Sequence, residues 1–353
     1  MKKHYCYIDL LKFIAIYFVI LIHNYSCSTD FIINNDFKVY FAYSFRLFIE
    51  GVLIFVFVNG FLLNNKNLDL TKNIKKIFKI FSLIIFWSII YIIFFSILNH
   101  ENINFKHIIS NVLLTDISNK YSGILWFLQN LICLYLIYPV LTVCKEHNKK
   151  VYNYIFIVVI MFTVGSNLIH LFLQMISAIL HMNNITQWIE KFINMYNPIS
   201  NGYFILYFMF GSYAFDNIEI IKKNKKKIYV LGAFSIVIPI LYGIIYSNIT
   251  IQTYSNNFNY STIFMMMFIL FMFTLSLNYK VKLGIISKYI NFVGSNSLGI
   301  YFFHIIVIRV LKNYFVINSF IMVLLYSLFV LVISSFLTYI MSKIPILKKC
   351  IRL

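Results

Sequence analysis

The chain has 353 residues, 61% of them hydrophobic and 19% aromatic, with a mean hydropathy of +0.82. Soluble domains reach only about half apolar residues, so this is an integral membrane protein. Its formal charge of +19 lies in loops between apolar runs, without the aromatic–basic stripe, Cys/His finger or basic helix of a nucleic-acid binder. Five scattered cysteines (Cys6, Cys27, Cys133, Cys144, Cys350) with no CxxC predict neither a disulfide framework nor a zinc site, and no other ligand spacing implies a metal.

The first apolar segment, at about 7–27, lacks a small-residue cleavage site and is read as a retained helix. It carries Lys12 and His23 with ten residues between them. Eleven steps of about 100° bring a helix back to within roughly 20°, so both side chains share one face, roughly 16 Å apart along the axis. A charge deep in a membrane helix costs about 2.5–3.5 kcal/mol and by default marks a working residue in a bundle interior or wet cavity. Taken alone, the pair is equally well explained by Lys12 snorkelling to the headgroups and His23 lying at the opposite interface. Asp9, three residues before Lys12, is placed to pair with it.

The second segment, at about 40–63, holds Arg46 and Glu50 as an (i, i+4) pair and closes with Asn59-Gly60, where glycine permits close approach of a helix or ligand. The third, at about 76–98, follows a basic stretch that includes Lys75, Lys76 and Lys79. The fourth, at about 122–143, has Trp126 at its start and Pro139 near its end, which a belt tryptophan and a kink proline explain equally well. Further segments follow at about 152–173, 200–215, 228–247 and 259–278. The ninth, at about 296–312, places His304 near mid-membrane and Arg309 further out, and the last is at about 318–341.

Ten spans put both termini on one side. Of the 30 Lys and Arg, the termini and even-numbered loops hold 22, the opposite loops five (Lys38, Lys106, Lys120, Lys191, Lys312) and the spans three. By the positive-inside rule the termini are cytoplasmic. The expected fold is therefore all-α: one polytopic helix bundle of about ten transmembrane helices over residues 1–353, with no soluble domain attached. Lys12 then lies toward the inner face, with His23, Arg46, Glu50, His304 and Arg309 in the outer half. Purely structural readings stand beside these: a buried Arg46–Glu50 pair and a hydrogen-bonded core histidine at 304. The outer loops at 99–121 and 174–199 are the longest and are expected to cover a site on that face. Asn-x-Ser/Thr triplets at Asn24, Asn184, Asn248 and Asn259 are expected by chance in so Asn-rich a chain. The closing Cys350-Ile-Arg-Leu353 has the outline of a prenylation box, but Arg352 stands in an aliphatic slot.

In this order the landmarks resemble the acyltransferase 3 family of membrane O-acyltransferases over nearly the whole chain. The family's D-x-x-R-x10-H pattern is Asp9-Leu-Leu-Lys12 and His23, and its FFxxSGF phrase is Phe55 to Phe61. A basic cluster follows at Lys75, Lys76 and Lys79; LWFL…Y…P is Leu125–Leu128, Tyr135 and Pro139; G-x-x-S-x-x-x-Y-x-x-H is Gly294, Ser297, Tyr301 and His304. Two positions depart from the family. Lys12 replaces an arginine and loses its planar fork, and Asn59 replaces a serine. Only three arginines among 30 basic residues, with abundant Ile, Asn, Lys, Phe and Tyr, bear the imprint of an AT-rich genome.

The resemblance implies transfer of an acyl group, most simply acetyl, from a cytoplasmic acyl-coenzyme A to a hydroxyl of a cell-envelope glycan or its lipid-linked precursor, with no metal. The sequence itself supplies only the polar path: a histidine, whose ordinary pKa is near neutrality, can deprotonate a hydroxyl or carry the acyl group, so His23 is the candidate base or transient acyl carrier, with Glu50 as an orienting partner. Lys12, Lys75, Lys76 and Lys79 become binders of donor phosphates, and Asn59, Trp126, Tyr301, His304 and Arg309 weaker candidates for lining the path. The partners implied are the donor, the glycan or lipid-linked acceptor, the bilayer of the cell membrane and glycan-assembly proteins. Intramembrane charges also suit a transporter or flippase of a glycan or lipid intermediate, although paired half-repeats and interrupted helices are not evident. A structural subunit of a polysaccharide synthase is the third reading.

Overall fold

The structure is a computed structural model that describes residues 5–25, 45, 46, 48–64, 67–100, 123–181, 191, 202–250, 262–280, 284–315, 317 and 319–353. Each of the ten apolar segments contains a helix, and no strand occurs among the described residues. This follows from the solvent: in hydrocarbon a helix satisfies its backbone polar groups within one segment. In chain order the helices are α1 (Cys6–Tyr25), α2 (Gly51–Leu63), α3 (Leu70–Leu98), α4 (Trp126–His147), α5 (Lys149–Ile160), α6 (Ser166–Leu180) and α7 (Tyr203–Asp216). They continue with α8 (Ile218–Lys223), α9 (Lys225–Thr250), α10 (Ile263–Ser276), α11 (Ile285–Ser295), α12 (Ser297–Leu311), α13 (Phe320–Lys343) and α14 (Pro345–Lys348). A 3-10 turn, Gly123–Leu125, leads into α4, and a π turn, Met161–Gly165, joins α5 to α6.

Local chemistry sets several of these ends. Asp69 accepts the Lys72 backbone N–H at 2.9 Å to cap α3, and Thr262 accepts that of Met265 at 3.2 Å to cap α10. The Lys72 side chain also bonds Asp69 at 2.7 Å, and these interactions hold the exposed Asp69 carboxyl below the usual carboxylate range. Pro345 opens α14, where its missing N–H costs nothing.

Among the described residues, six helical stretches are long and apolar enough to cross a membrane alone: Cys6–Asn24, Leu70–Leu98, Gly123–His147, Lys149–Leu180, Lys225–Thr250 and Phe320–Lys343. A seventh is reached if α11 and α12, broken at Asn296, count as one span. This is fewer than the ten apolar segments. Helices α2, α7 and α10 have only 13 or 14 residues, about 20 Å of helix against about 30 Å of hydrocarbon. The outer loops expected at 99–121 and 174–199, and the triplets at Asn184 and Asn259, lie largely or wholly outside the described residues.

The chain divides into two compact units, each made of separate stretches. The first is Met1–Lys66, Lys149–Ser295 and Ile317–Leu328; the second is Asn67–Asn148, Asn296–Val316 and Phe329–Leu353.

Within the first unit, α2 and α7 meet at paired glycines. A Cβ on Gly60 would stand 1.9 Å from the Phe208 carbonyl oxygen, and one on Gly211 would stand 2.0 Å from that of Phe57. Each glycine thus receives the backbone of the other helix, the close approach that drives helix association where lipid offers no hydrophobic incentive. Aromatic rings fill the space beside this crossing. Phe273 of α10 lies 5.3 Å from both Phe57 and Phe61, and Tyr7 of α1 lies 6.2 Å from Phe61. In the second unit, Trp87 of α3 stacks on Phe302 of α12 at 4.6 Å, and Tyr91 donates to the Phe302 carbonyl at 2.8 Å.

Candidate functional site

Helix α1 is continuous through Lys12 and His23, so their shared face and roughly 16 Å separation hold in the fold. Both side chains are half-buried. Helix α2 runs antiparallel to α1, with Phe61 beside Tyr7 at one end and Gly51 against Ala15 at the other. A Cβ on Gly51 would stand 2.0 Å from the Ala15 carbonyl oxygen.

Glu50 sits where this pairing begins. It lies just outside α2, with φ −73° and ψ 67°. On one side Gly51 touches Ala15 and Phe18; on the other, Ile49 is buried with Leu21 and Val323. Glu50 is therefore level with the middle of α1, between Lys12 and His23. Arg46, which is exposed, interacts electrostatically with Glu50, and Glu50 in turn with Tyr203 at the start of α7. Irregular backbone at membrane depth is tolerated only where protein buries it or it lines a wet cavity. The break at Ile49–Glu50 marks such a place.

Two further contacts bear on the same helix. Gly294 of α11 packs directly on Asp9, where a Cβ would come within 2.4 Å of the Asp9 carbonyl oxygen. Tyr289, further back on α11, meets Phe13, so α11 also runs antiparallel to α1 along the Asp9–Lys12 turn. Beside His23, the buried Asn24 donates to Ser327 Oγ at 3.0 Å, so its triplet is a packing feature. Asn59 turns back on its own helix and donates to the Phe55 carbonyl at 2.9 Å.

The remaining candidates belong to the second unit. Lys75 is exposed; Lys76 donates to the hydroxyl of Tyr135 and lies over its ring; Lys79 donates to the carbonyl of Lys349. Tyr301 is buried and gives its hydroxyl proton to the Ile124 carbonyl, tying α12 to the turn before α4. His304 is fully buried with Nδ1 against the Tyr301 carbonyl. Trp126 is half-buried at the start of α4, and Arg309 is exposed near the end of α12. Among the described residues no three of His, Cys, Asp and Glu converge on one point.

A model of the acyltransferase 3 family, described as an acyltransferase domain, matches residues 6–342. The chain belongs to the acyltransferase 3 family. No curated protein and no solved structure matched it. As a membrane acyltransferase it takes an acyl donor and an acceptor and works in a bilayer. Gly294, the first residue of one family landmark, packs on Asp9, the first residue of another. Three features were not visible in the sequence. The approach of Tyr203 to Glu50 depends on α7. The level of Glu50 depends on a backbone break that hydropathy does not register. The Asn24–Ser327 bond joins residues 303 positions apart.

Proposed function

We propose that this acyltransferase moves an acyl group, most simply acetyl, from a cytoplasmic acyl-coenzyme A to a hydroxyl of a cell-envelope glycan or its lipid-linked precursor. It acts in the cell membrane with both termini cytoplasmic; the 22 basic residues of the termini and even-numbered loops support that orientation. The observation that supports the reading is one face of α1, with an ammonium toward its N-terminal end, an imidazole toward its C-terminal end and Glu50 level with the middle. Roughly 16 Å is too far for one small reacting group to touch both. A long, thin thioester cofactor reaches between them, its phosphates near Lys12 and its acyl end toward His23. Lys75, Lys76 and Lys79 are further candidate binders of donor phosphates.

In the simplest course, His23 accepts the acceptor's hydroxyl proton as that oxygen attacks the thioester carbonyl. The tetrahedral intermediate then collapses, the C–S bond breaks, and the leaving thiolate takes the proton from the imidazolium. In the covalent course the imidazole nitrogen attacks first, the C–S bond breaks and the leaving thiolate takes the ring's N–H proton; the hydroxyl then displaces the acylated imidazole, which takes up the hydroxyl proton as it leaves. Glu50 orients the imidazole and offsets its positive charge in either case. The test is transfer of labelled acetyl from acetyl-coenzyme A into the glycan or lipid fraction of membranes carrying the chain. Label should be incorporated with the intact protein and be absent with His23→Ala. Movement of a glycan across the membrane without incorporation of label would make the protein a transporter.

A further inference from the structure

The C-terminal residues grip the second unit one after another. The Lys349 carbonyl accepts from Lys79, and the Cys350 carbonyl accepts from Trp87 Nε1 at 2.9 Å. Ile351 is 1% exposed and seats against Gly299, whose Cβ would stand 3.2 Å from that of Ile351. Arg352 Nη2 donates to Asn296 Oδ1 at 2.7 Å. Four consecutive residues thus each hold a different point on α3 or α12.

The surroundings are strongly cationic. The described residues of the second unit contain eleven Lys and Arg against two acids, Asp69 and Glu146. Lys79 is joined to the Lys349 carbonyl, Lys75 and Lys76 precede Lys79 within about one turn of α3, and Arg352 follows Lys349 by three residues on the same segment. Assembling like charges is unfavourable unless an anion joins them. The segment also prepares its donors. An ammonium has three N–H groups, so fixing Lys79 through one carbonyl orients it while leaving others for a ligand. The bond to Asn296 anchors one edge of the Arg352 fork and leaves its other donors at the surface.

We infer that residues 349–352 complete the site for the phosphates of the acyl donor, with Arg352 a binding residue and the 349–350 backbone positioning Lys79. The inference rests on the reading of Lys75, Lys76 and Lys79 as donor-binding. Arg352 supplies the planar, bidentate phosphate grip that the lysines lack. An anionic lipid headgroup offers the same phosphate chemistry, so the experiment separates the two sources.

Binding of coenzyme A and of pantetheine, which has no phosphate, is measured on the full-length protein in phosphatidylcholine nanodiscs, alongside its melting temperature. Arg352→Ala should weaken coenzyme A binding about ten- to a hundredfold, as loss of a charge-assisted contact does, and leave pantetheine unchanged. Arg352→Lys should recover part of that loss, and Ile351→Asp, which unseats the segment, should weaken coenzyme A as well. Unchanged affinity in a folded Arg352→Ala, with the wild type still binding coenzyme A, overturns the inference and leaves the donor reading standing. No binding by the wild type overturns both. A loss seen only in discs containing phosphatidylglycerol assigns the site to lipid and overturns the donor assignment.

Discussion

At the scale of single residues, His23 and Lys12 answer to different measurements. Removing a general acid–base group costs about 10²–10⁴-fold in rate, so His23→Ala should abolish acyl transfer while the protein stays inserted and abundant. Near-normal turnover in that variant would make His23 structural and His304 the next candidate. On the proposed reading Lys12, roughly 16 Å away, touches the donor alike in ground and transition states. Its loss should therefore raise the donor KM with kcat little changed, while Lys12→Arg should retain activity. His23→Gln should instead lower kcat at constant donor affinity. Lost affinity in His23→Gln, or unchanged affinity in Lys12→Ala, would reject this division. The pair itself was legible because helical periodicity needs no tertiary information. Glu50 was legible only as a charge in an apolar run. Its level beside α1 comes from the turn at Ile49 and the contact of Gly51 with Ala15, which no local pattern encodes.

At the scale of elements, the α2–α7 crossing is the most exacting contact. Gly60 and Gly211 each admit a carbonyl to within about 2 Å of where a Cβ would be, and backbone cannot yield as a flexible side chain does. Gly60→Val or Gly211→Val should each destabilise by about 1–3 kcal/mol, the usual range for overpacking, read as a lower melting temperature in detergent. The double variant should lose less than the sum, because either change alone already parts the helices. Additive losses would mean the two glycines do not share one interface. The sequence marked Asn59-Gly60 as a place of close approach, but nothing in it named α7 as the partner. Helix lengths were similarly only half legible. Hydropathy located the second segment, yet α2 starts at Gly51, some ten residues after that apolar run begins.

At the scale of the whole molecule, orientation is the first thing to establish, since a cytoplasmic donor requires Lys12 near the inner face. An Asn224→Cys variant in a cysteine-free background should be labelled only after the membrane is opened, because the lysines flanking it mark the inner side. Labelling from outside intact cells would reverse the orientation and remove the donor argument. The basic loops made this expectation legible; the division into two units was not, since each unit gathers stretches from distant parts of the chain. One feature of the fold also ties the enzyme to the lipid around it. The run from Lys149 to Leu180, through the π turn, is 32 residues long, about 48 Å of helix. Without the loop-end residues 149–151 and tilted by about 40°, the top of the usual range, it still covers roughly 33 Å of a core about 30 Å thick. Much of this run is left uncovered by the described residues, so fatty-acyl tails are expected to meet it. Reconstitution into bilayers of longer-tailed lipids should raise the melting temperature, and shorter tails should lower it. Tail length would then tune the stability of this acyltransferase through mismatch alone, without the surrounding lipid serving as donor or acceptor.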